Sequence, residues 1–161
     1  MTLHPRTRTQ MYHGVANWDE IAAIAQALTI PVIGNGDIRT PQDVVAMRKQ
    51  TSCAGIMIAR GSFGNPWLFA QARDLLEGRA MRPDPTPAER FSTALEHARL
   101  ALRLQGDTRK TALEFRKHFG WYTKGLPGAS ELRQRLFAIE SMAEAEAIFC
   151  EYLYGSARSA A

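Results

Sequence analysis

Two stretches constrain this chain more than any others: Ile30-Pro-Val-Ile-Gly-Asn-Gly-Asp-Ile38 and, some twenty residues later, Gly55-Ile-Met-Ile-Ala-Arg-Gly61. Each is a short β-branched, apolar run that stops abruptly in glycine beside a polar or charged side chain. That is the pattern of a buried parallel strand delivering its end to a ligand. Between them, Thr40-Pro41-Gln42-Asp43 marks a helix start, with a hydroxyl N-cap, proline at the first helical position and a carboxylate near the positive end of the helix dipole. Strand, turn, helix and strand make a βα unit, so two polar strand ends lie side by side.

Such a place suits a phosphate. In closed (β/α)8 barrels the ligand sits at the carboxyl ends of the strands, and the last two strands with a short extra helix commonly form a phosphate site. Arg60-Gly61 closes the second strand here, and Asn65-Pro66-Trp67 reads as the capped start of such a helix. Arg60 offers forked cationic donors, and Gly61 lets backbone N–H groups come close. Either element alone reads equally as a plain turn or a solvated charge; at βα spacing the pair points to a site. His4 closes a third apolar strand end, Met1-Thr-Leu-His4, just before Arg6 and Arg8. It stands where a barrel ligand would lie, although a lone histidine is also a common structural residue.

The chain divides at the proline-dense segment Arg82-Pro-Asp-Pro-Thr-Pro87, which cannot continue a helix. Residues 1–82 form one domain and 83–161 another. Thr86-Pro87-Ala-Glu89 is a capping box, after which Phe91, Leu95, Ala98 and Leu102 recur at helical spacing until Gly106. Further helices are expected from Asp107 to Tyr122, Ser130 to Ile139 and Met142 to Tyr154, the last behind the capping box Ser141-Met-Ala-Glu144, with a Ser/Ala tail after Gly155. The result is a small antiparallel bundle.

Composition, at 45% hydrophobic and 22% charged residues, fits a soluble cytoplasmic protein, without a bilayer-spanning run or a signal-peptide pattern. Cys53 and Cys150 show no metal spacing and no disulfide framework, so both read as small buried hydrophobes. From Arg109 to Arg135 seven Lys/Arg stand against Glu114 and Glu131, which suggests a surface facing a polyanion. Glu140, Glu144, Glu146 and Glu151 are expected to face solvent away from it. Within the basic stretch, Arg116-Lys117-His118, Trp121-Tyr122 and Lys124 combine cations that neutralise phosphates with rings that stack on bases. Taken alone, aromatic residues at this spacing are more often core, and the charges a solvated helix face.

Asn35-Gly36-Asp37-Ile38, Arg60-Gly61 with Gly64-Asn65-Pro66-Trp67, the opening His4-Pro-Arg-Thr7, and Arg116-Lys117-His118 with Trp121-Tyr122 and Lys124-Gly125 together resemble the tRNA-dihydrouridine synthases of the bacterial B type. The resemblance runs over roughly residues 2 to 154 and covers only the C-terminal part of that family. It implies an α/β plus all-α chain, the C-terminal part of an FMN-binding TIM barrel followed by a helical tRNA-binding domain. It implies FMN reduced by NADPH, with hydride passing to C6 of a tRNA uridine and a cysteine protonating C5. Matching positions imply FMN contacts at His4, Asn35, Gly36, Asp37, Ala59 and Arg60, and tRNA contacts at Arg116, Lys117, His118, Trp121, Tyr122 and Lys124. Ala59 stands where the family usually has glycine, which puts a methyl beside the phosphate.

A whole (β/α)8 barrel needs about 250 residues; this chain has 161, and its second half reads as helical. It is therefore expected to be a truncated, internally started or split product, inactive alone and without the family's catalytic cysteine, since Cys53 lies at the wrong end of its strand. An open sheet leaves an apolar edge, so a complementary N-terminal barrel fragment or self-association is the expected partner besides tRNA. Two alternatives stay open: a tRNA-binding helical module with no activity of its own, and another FMN-dependent TIM-barrel oxidoreductase, although the basic-aromatic motif has no place in the latter.

Overall fold

Three short strands run parallel in the spatial order of the sequence: β1 (Thr2–Leu3), β2 (Ile33–Asn35) and β3 (Gly55–Met57). Thr2 pairs with Ile33, and Ile33 in turn with Gly55. The computed structural model describes residues 1–11, 13–106 and 108–155, which fall into two units, Met1–Pro83 and one that begins at Asp84.

The strands are shorter than the apolar runs that contain them, for a backbone reason. Pro31 has no N–H to give a ladder, and beyond Asn35 the chain leaves the sheet through Gly36 at φ 137° and Asp37 at φ 54°. After Met57 it tightens into a 3₁₀ turn at Arg60–Ser62. The helix α1 (Trp18–Ala27) joins β1 to β2, and α2 (Pro41–Thr51) joins β2 to β3, so the parallel order is built from successive βα units. The Thr40 cap is a full box: Thr40 Oγ1 accepts from Asp43 N, and Asp43 Oδ2 accepts from Thr40 N at 2.8 Å. The helix α1 was not among the expected elements, although Trp18, Ile21, Ala25 and Leu28 recur at helical spacing and Asn17, whose side chain accepts from Asp19 N, caps it with Asp19 and Glu20 in the first turn. The core between sheet and helices holds Ile21, Val32, Val44, Met47, Cys53 and Ala72.

The third helix, α3 (Trp67–Leu76), starts where expected, but no side chain caps it; Pro66 occupies the cap position and Leu68 N reaches Asn65 O at 3.4 Å. At its far end Asp74, buried, accepts from Arg82 Nε at 2.7 Å, Arg82 Nη2 at 2.9 Å and Arg79 Nη2 at 3.0 Å. The hydrogen bonds from Arg82, then those from Arg79, hold this carboxyl well below the usual carboxylate range. The proline-dense segment is thus pinned where it leaves α3.

In the second unit, α4 (Pro87–Gln105), α5 (Arg109–Tyr122), α6 (Ala129–Ala138) and α7 (Met142–Tyr154) pack so that α5 and α7 each touch both α4 and α6. Thr86, Thr108 and Ser141 cap three of them by accepting from Glu89, Thr111 and Glu144 N–H. The expected start of α5 at Asp107 and the tail at 156–161 lie outside the described residues. Phe91 and Phe149 stack at 4.2 Å in the core, with Phe119, Leu136 and Ile139 fully buried around them. The buried stripe of α4 is Phe91, Ala94 and Ala98, with Leu95 and Leu102 half-buried. No helix among the described residues is long and apolar enough to cross a membrane.

The acidic residues correct one expectation. Glu140 and Glu151 do not turn away from the basic stretch: Glu140 accepts from Arg109 at 2.6 Å and Glu151 from Arg135 at 3.0 Å, while Glu146 accepts from Arg99 on α4, outside that stretch, at 3.4 Å. Inter-helix packing brings these charges together, and it is not visible in spacing along one helix.

Candidate functional site

The polar residues of the first unit gather at the carboxyl ends of the three strands. His4 follows β1, and its Nδ1 lies 3.2 Å from Asn35 O. A carbonyl only accepts, so Nδ1 carries the proton of that bond and Nε2 is left as the other functional nitrogen. Asn35 closes β2 with 9% exposure; its Nδ2 donates to Met57 O at 3.0 Å and ties the ends of β2 and β3 together. Trp18 Nε1 donates to Gly36 O at 3.0 Å from α1.

Asp37 is the centre of this cluster. It sits in the left-handed region, which Asp tolerates better than most residues, and the neighbourhood over-determines it. Its Oδ2 accepts from Arg6 Nη2 at 2.7 Å and from Ala16 N at 2.8 Å, while Arg6 Nη2 also reaches Gly14 O at 2.9 Å. Its Oδ1 is 4.0 Å from Arg60 Nη2. Burial pushes the carboxyl up, but the Ala16 N–H, the charge and hydrogen bond of Arg6 and the charge of Arg39 outweigh it and leave Asp37 below its usual value. The Arg6 side chain is only 3% exposed and that of Arg60 51%. Arg6 Nε, Arg6 Nη1 and Asp37 Oδ1 are buried without a hydrogen-bond partner. Buried donors and acceptors are normally satisfied, so these three atoms mark a polar cluster that the chain's own groups do not fully satisfy.

Gly61 completes the cradle. A Cβ there would stand 2.2 Å from Ile38 O, so the turn after β3 lies directly on the backbone leaving β2. The structure therefore brings His4, Asn35, Gly36, Asp37 and Arg60 to one end of the sheet, with Ala59 leading into the Arg60–Ser62 turn. Sequence reasoning quoted Arg6 but gave it no role, and it did not single out Ala16 or Trp18. Arg6 lies two residues beyond the strand-closing His4, which was the available signal. Cys53 is at the other end of β3, buried, its thiol donating to Gly55 O at 3.2 Å, while Cys150 is exposed on α7.

In the second unit the basic-aromatic motif separates by depth. Tyr122 is 5% exposed with its hydroxyl 3.4 Å from His97 Nδ1, and Arg116 is half-buried with Nε donating to Ile139 O at 2.8 Å, which satisfies a carbonyl just past the end of α6. His118 is half-buried in a ring cluster, its centroid 4.8 Å from Phe115, 5.0 Å from His97 and 4.9 Å from Trp121. Burial lowers both imidazoles, and the charges of His97 and Lys117 lower His118 further. Lys117 and Lys124 are exposed, and Trp121 is half-buried.

Residues 1–157 match the family model described as "Dihydrouridine synthase (Dus)". Among curated relatives, the probable tRNA-dihydrouridine synthase 1 of Synechocystis sp. is 42% identical over 144 residues, 89% of this chain and 40% of that protein. The probable tRNA-dihydrouridine synthase of Mycobacterium leprae is 39% identical over 149 residues, 92% of this chain and 38% of its own length. That of Treponema pallidum is 38% identical over 152 residues, 92% and 44% respectively. The chain thus spans about two fifths of the length of the curated relatives it matches. With a family model matched almost from end to end, this chain belongs to the dihydrouridine synthase family.

Proposed function

We propose that this chain works as part of a flavin-dependent tRNA-dihydrouridine synthase. The first unit contributes three strands and an FMN site to a (β/α)8 barrel, and the second holds tRNA. The convergence of His4, Asn35-Gly36-Asp37 and Arg60-Gly61 on adjacent parallel strand ends carries the reading, in a chain whose relatives are named for this reaction.

The residues fit the phosphate end of FMN. Arg6, Arg39 and Arg60 outweigh the carboxylate of Asp37 at these strand ends, and the half-exposed side chain of Arg60 is the cation that reaches the surface there. When bound, FMN supplies the hydride that saturates the C5–C6 bond of a tRNA uridine, NADPH being the reductant. Arg60 would hold phosphate oxygens through forked donors, next to Ala59, which stands where the family usually has glycine. His4, fixed by Asn35 O, presents Nε2 to the ligand. Arg6 keeps Asp37 ionised and so holds the Asn35-Gly36-Asp37 turn in shape. The acid that protonates C5 is not among these groups, and neither Cys53 nor Cys150 is placed to act as one. Eight strands close such a barrel; those beyond the three described come from elsewhere in the polypeptide, from a complementary fragment or from a second copy. Lys117, Lys124, His118 and Trp121 support tRNA holding, with Arg116 and Tyr122 bracing the helices beneath them. A tRNA substrate places the work in the cytoplasm.

The test compares this chain with a form extended upstream to the length of its relatives. We expect flavin absorption and NADPH-dependent dihydrouridine formation in the extended form only, and salt-sensitive tRNA retention by both. An extended form that takes up no FMN and leaves uridine unchanged overturns the reading.

A further inference from the structure

Where α5 meets α6, the ring of Phe137 lies across α5 at Gly120. A Cβ at that position would be 3.0 Å from both Cε1 and Cζ of Phe137 and 3.9 Å from Cδ of Arg133. Gly120 is buried, yet Phe137 remains 48% exposed. One side of the ring is held against a helix backbone and the rest faces solvent. A ring fixed in this way offers its surface with little rotamer entropy left to lose on binding.

The charges around it are distributed unevenly. Arg99, Arg109, Lys110 and Arg135 are each paired with a glutamate. Lys117 and Lys124, one turn before and one turn after Gly120, and Arg133, one turn before Phe137 on α6, form no ion pair with a described residue. Residues three and four apart share a helix face, so Lys117 and Arg133 flank the ring, while Lys124 stands in the turn just past the end of α5. Both lysines are exposed and Arg133 is half-buried.

We infer that Phe137, Arg133, Lys117 and Lys124 form a stacking site for an unpaired RNA base, the three cations taking the phosphates on either side of it. This rests on the reading of the second unit as the part that holds RNA, and it adds Phe137 and Arg133 on α6 to the α5 motif. The phenyl ring has no polar handle, so it accepts any base that is out of a duplex and reads none. A loop or a flipped nucleotide suits it, and a continuous A-form helix does not.

The experiment is tRNA binding by the full chain across a salt series, with Phe137→Leu, Phe137→Tyr and Arg133→Gln. We expect Phe137→Leu to weaken binding roughly ten-fold with an unchanged salt slope. Phe137→Tyr, which keeps the ring, should bind like the parent. Arg133→Gln should lower the log–log salt slope by about 0.7. Parental affinity in Phe137→Leu overturns the stacking site while the RNA-holding reading stands. An equal loss in Phe137→Leu and Phe137→Tyr also overturns it, because it would report the fold and not the ring. Failure of the unsubstituted chain to retain tRNA at any salt overturns both.

Discussion

The two units treat their charges in opposite ways. In the first, the decisive ion pair is interior: Arg6 and Asp37 meet behind the strand ends, with three polar atoms left unsatisfied. In the second, ion pairs are exposed links between helices or along one, and the cations near Phe137 are left over. A buried charge without its partner is costly, whereas an exposed pair contributes little. The first unit therefore uses charge to fix a shape, and the second uses it to sort a surface.

The sharpest way to break that contrast is Arg6→Met. It leaves the partly buried Asp37 with the Ala16 N–H and the more distant Arg60, and the first unit should lose about 3 kcal/mol, read as a fall in its urea midpoint with the second transition unmoved. Next comes Gly61→Ala, whose methyl meets the Ile38 carbonyl; overpacking against backbone should cost about 2 kcal/mol in the same unit. If Gly61→Ala melts like the parent, the two strand-end loops are not locked together.

Acid distinguishes the units more gently. His97 and His118 are lowered in the folded state from 6.5, so their contribution is complete above that pH and declines as pH falls through it toward the folded values. Asp37 is lowered from 3.8, so its contribution persists until pH falls below that and is lost through its folded value. Between about pH 6.5 and 4.5 the thermal midpoint of the second unit should therefore fall before that of the first, and His97→Gln should flatten the decline. A first unit that softens earlier would place the half-buried His97 and His118 in the wrong role. The smallest effect is expected from Glu151→Gln, which breaks an exposed link to Arg135 and should leave the midpoint where it was.

How much of this was readable depended on whether the signal was local. The βα unit at residues 30–61 was legible because glycine and polar residues punctuate its apolar runs. The helices of the second unit were legible because Thr86 and Ser141 announce their starts. The strand lengths were overstated because apolar character continues past Pro31 and Ile38 while the backbone has already left the ladder. The Arg6–Asp37 pair joins residues 31 apart across strand tips, and no one-dimensional pattern shows it. The Glu–Arg links fail for the same reason, because the register between helices decides them. Tyr122 is different: Phe115, Phe119 and Tyr122 form a buried stripe at helical spacing. Its depth was readable, and the residues taken alone favoured the core; the family resemblance is what turned the reading outward.

The two cysteines carry a consequence of their own. Both are free; Cys53 is enclosed in the first unit and Cys150 is exposed on the last described helix. A brief alkylation of the native protein should mark only Cys150, placing a dye on the helical unit without any engineered residue. The slower labelling of Cys53 then times how often the first unit opens, so the chain carries its own clock for one half and its own beacon for the other.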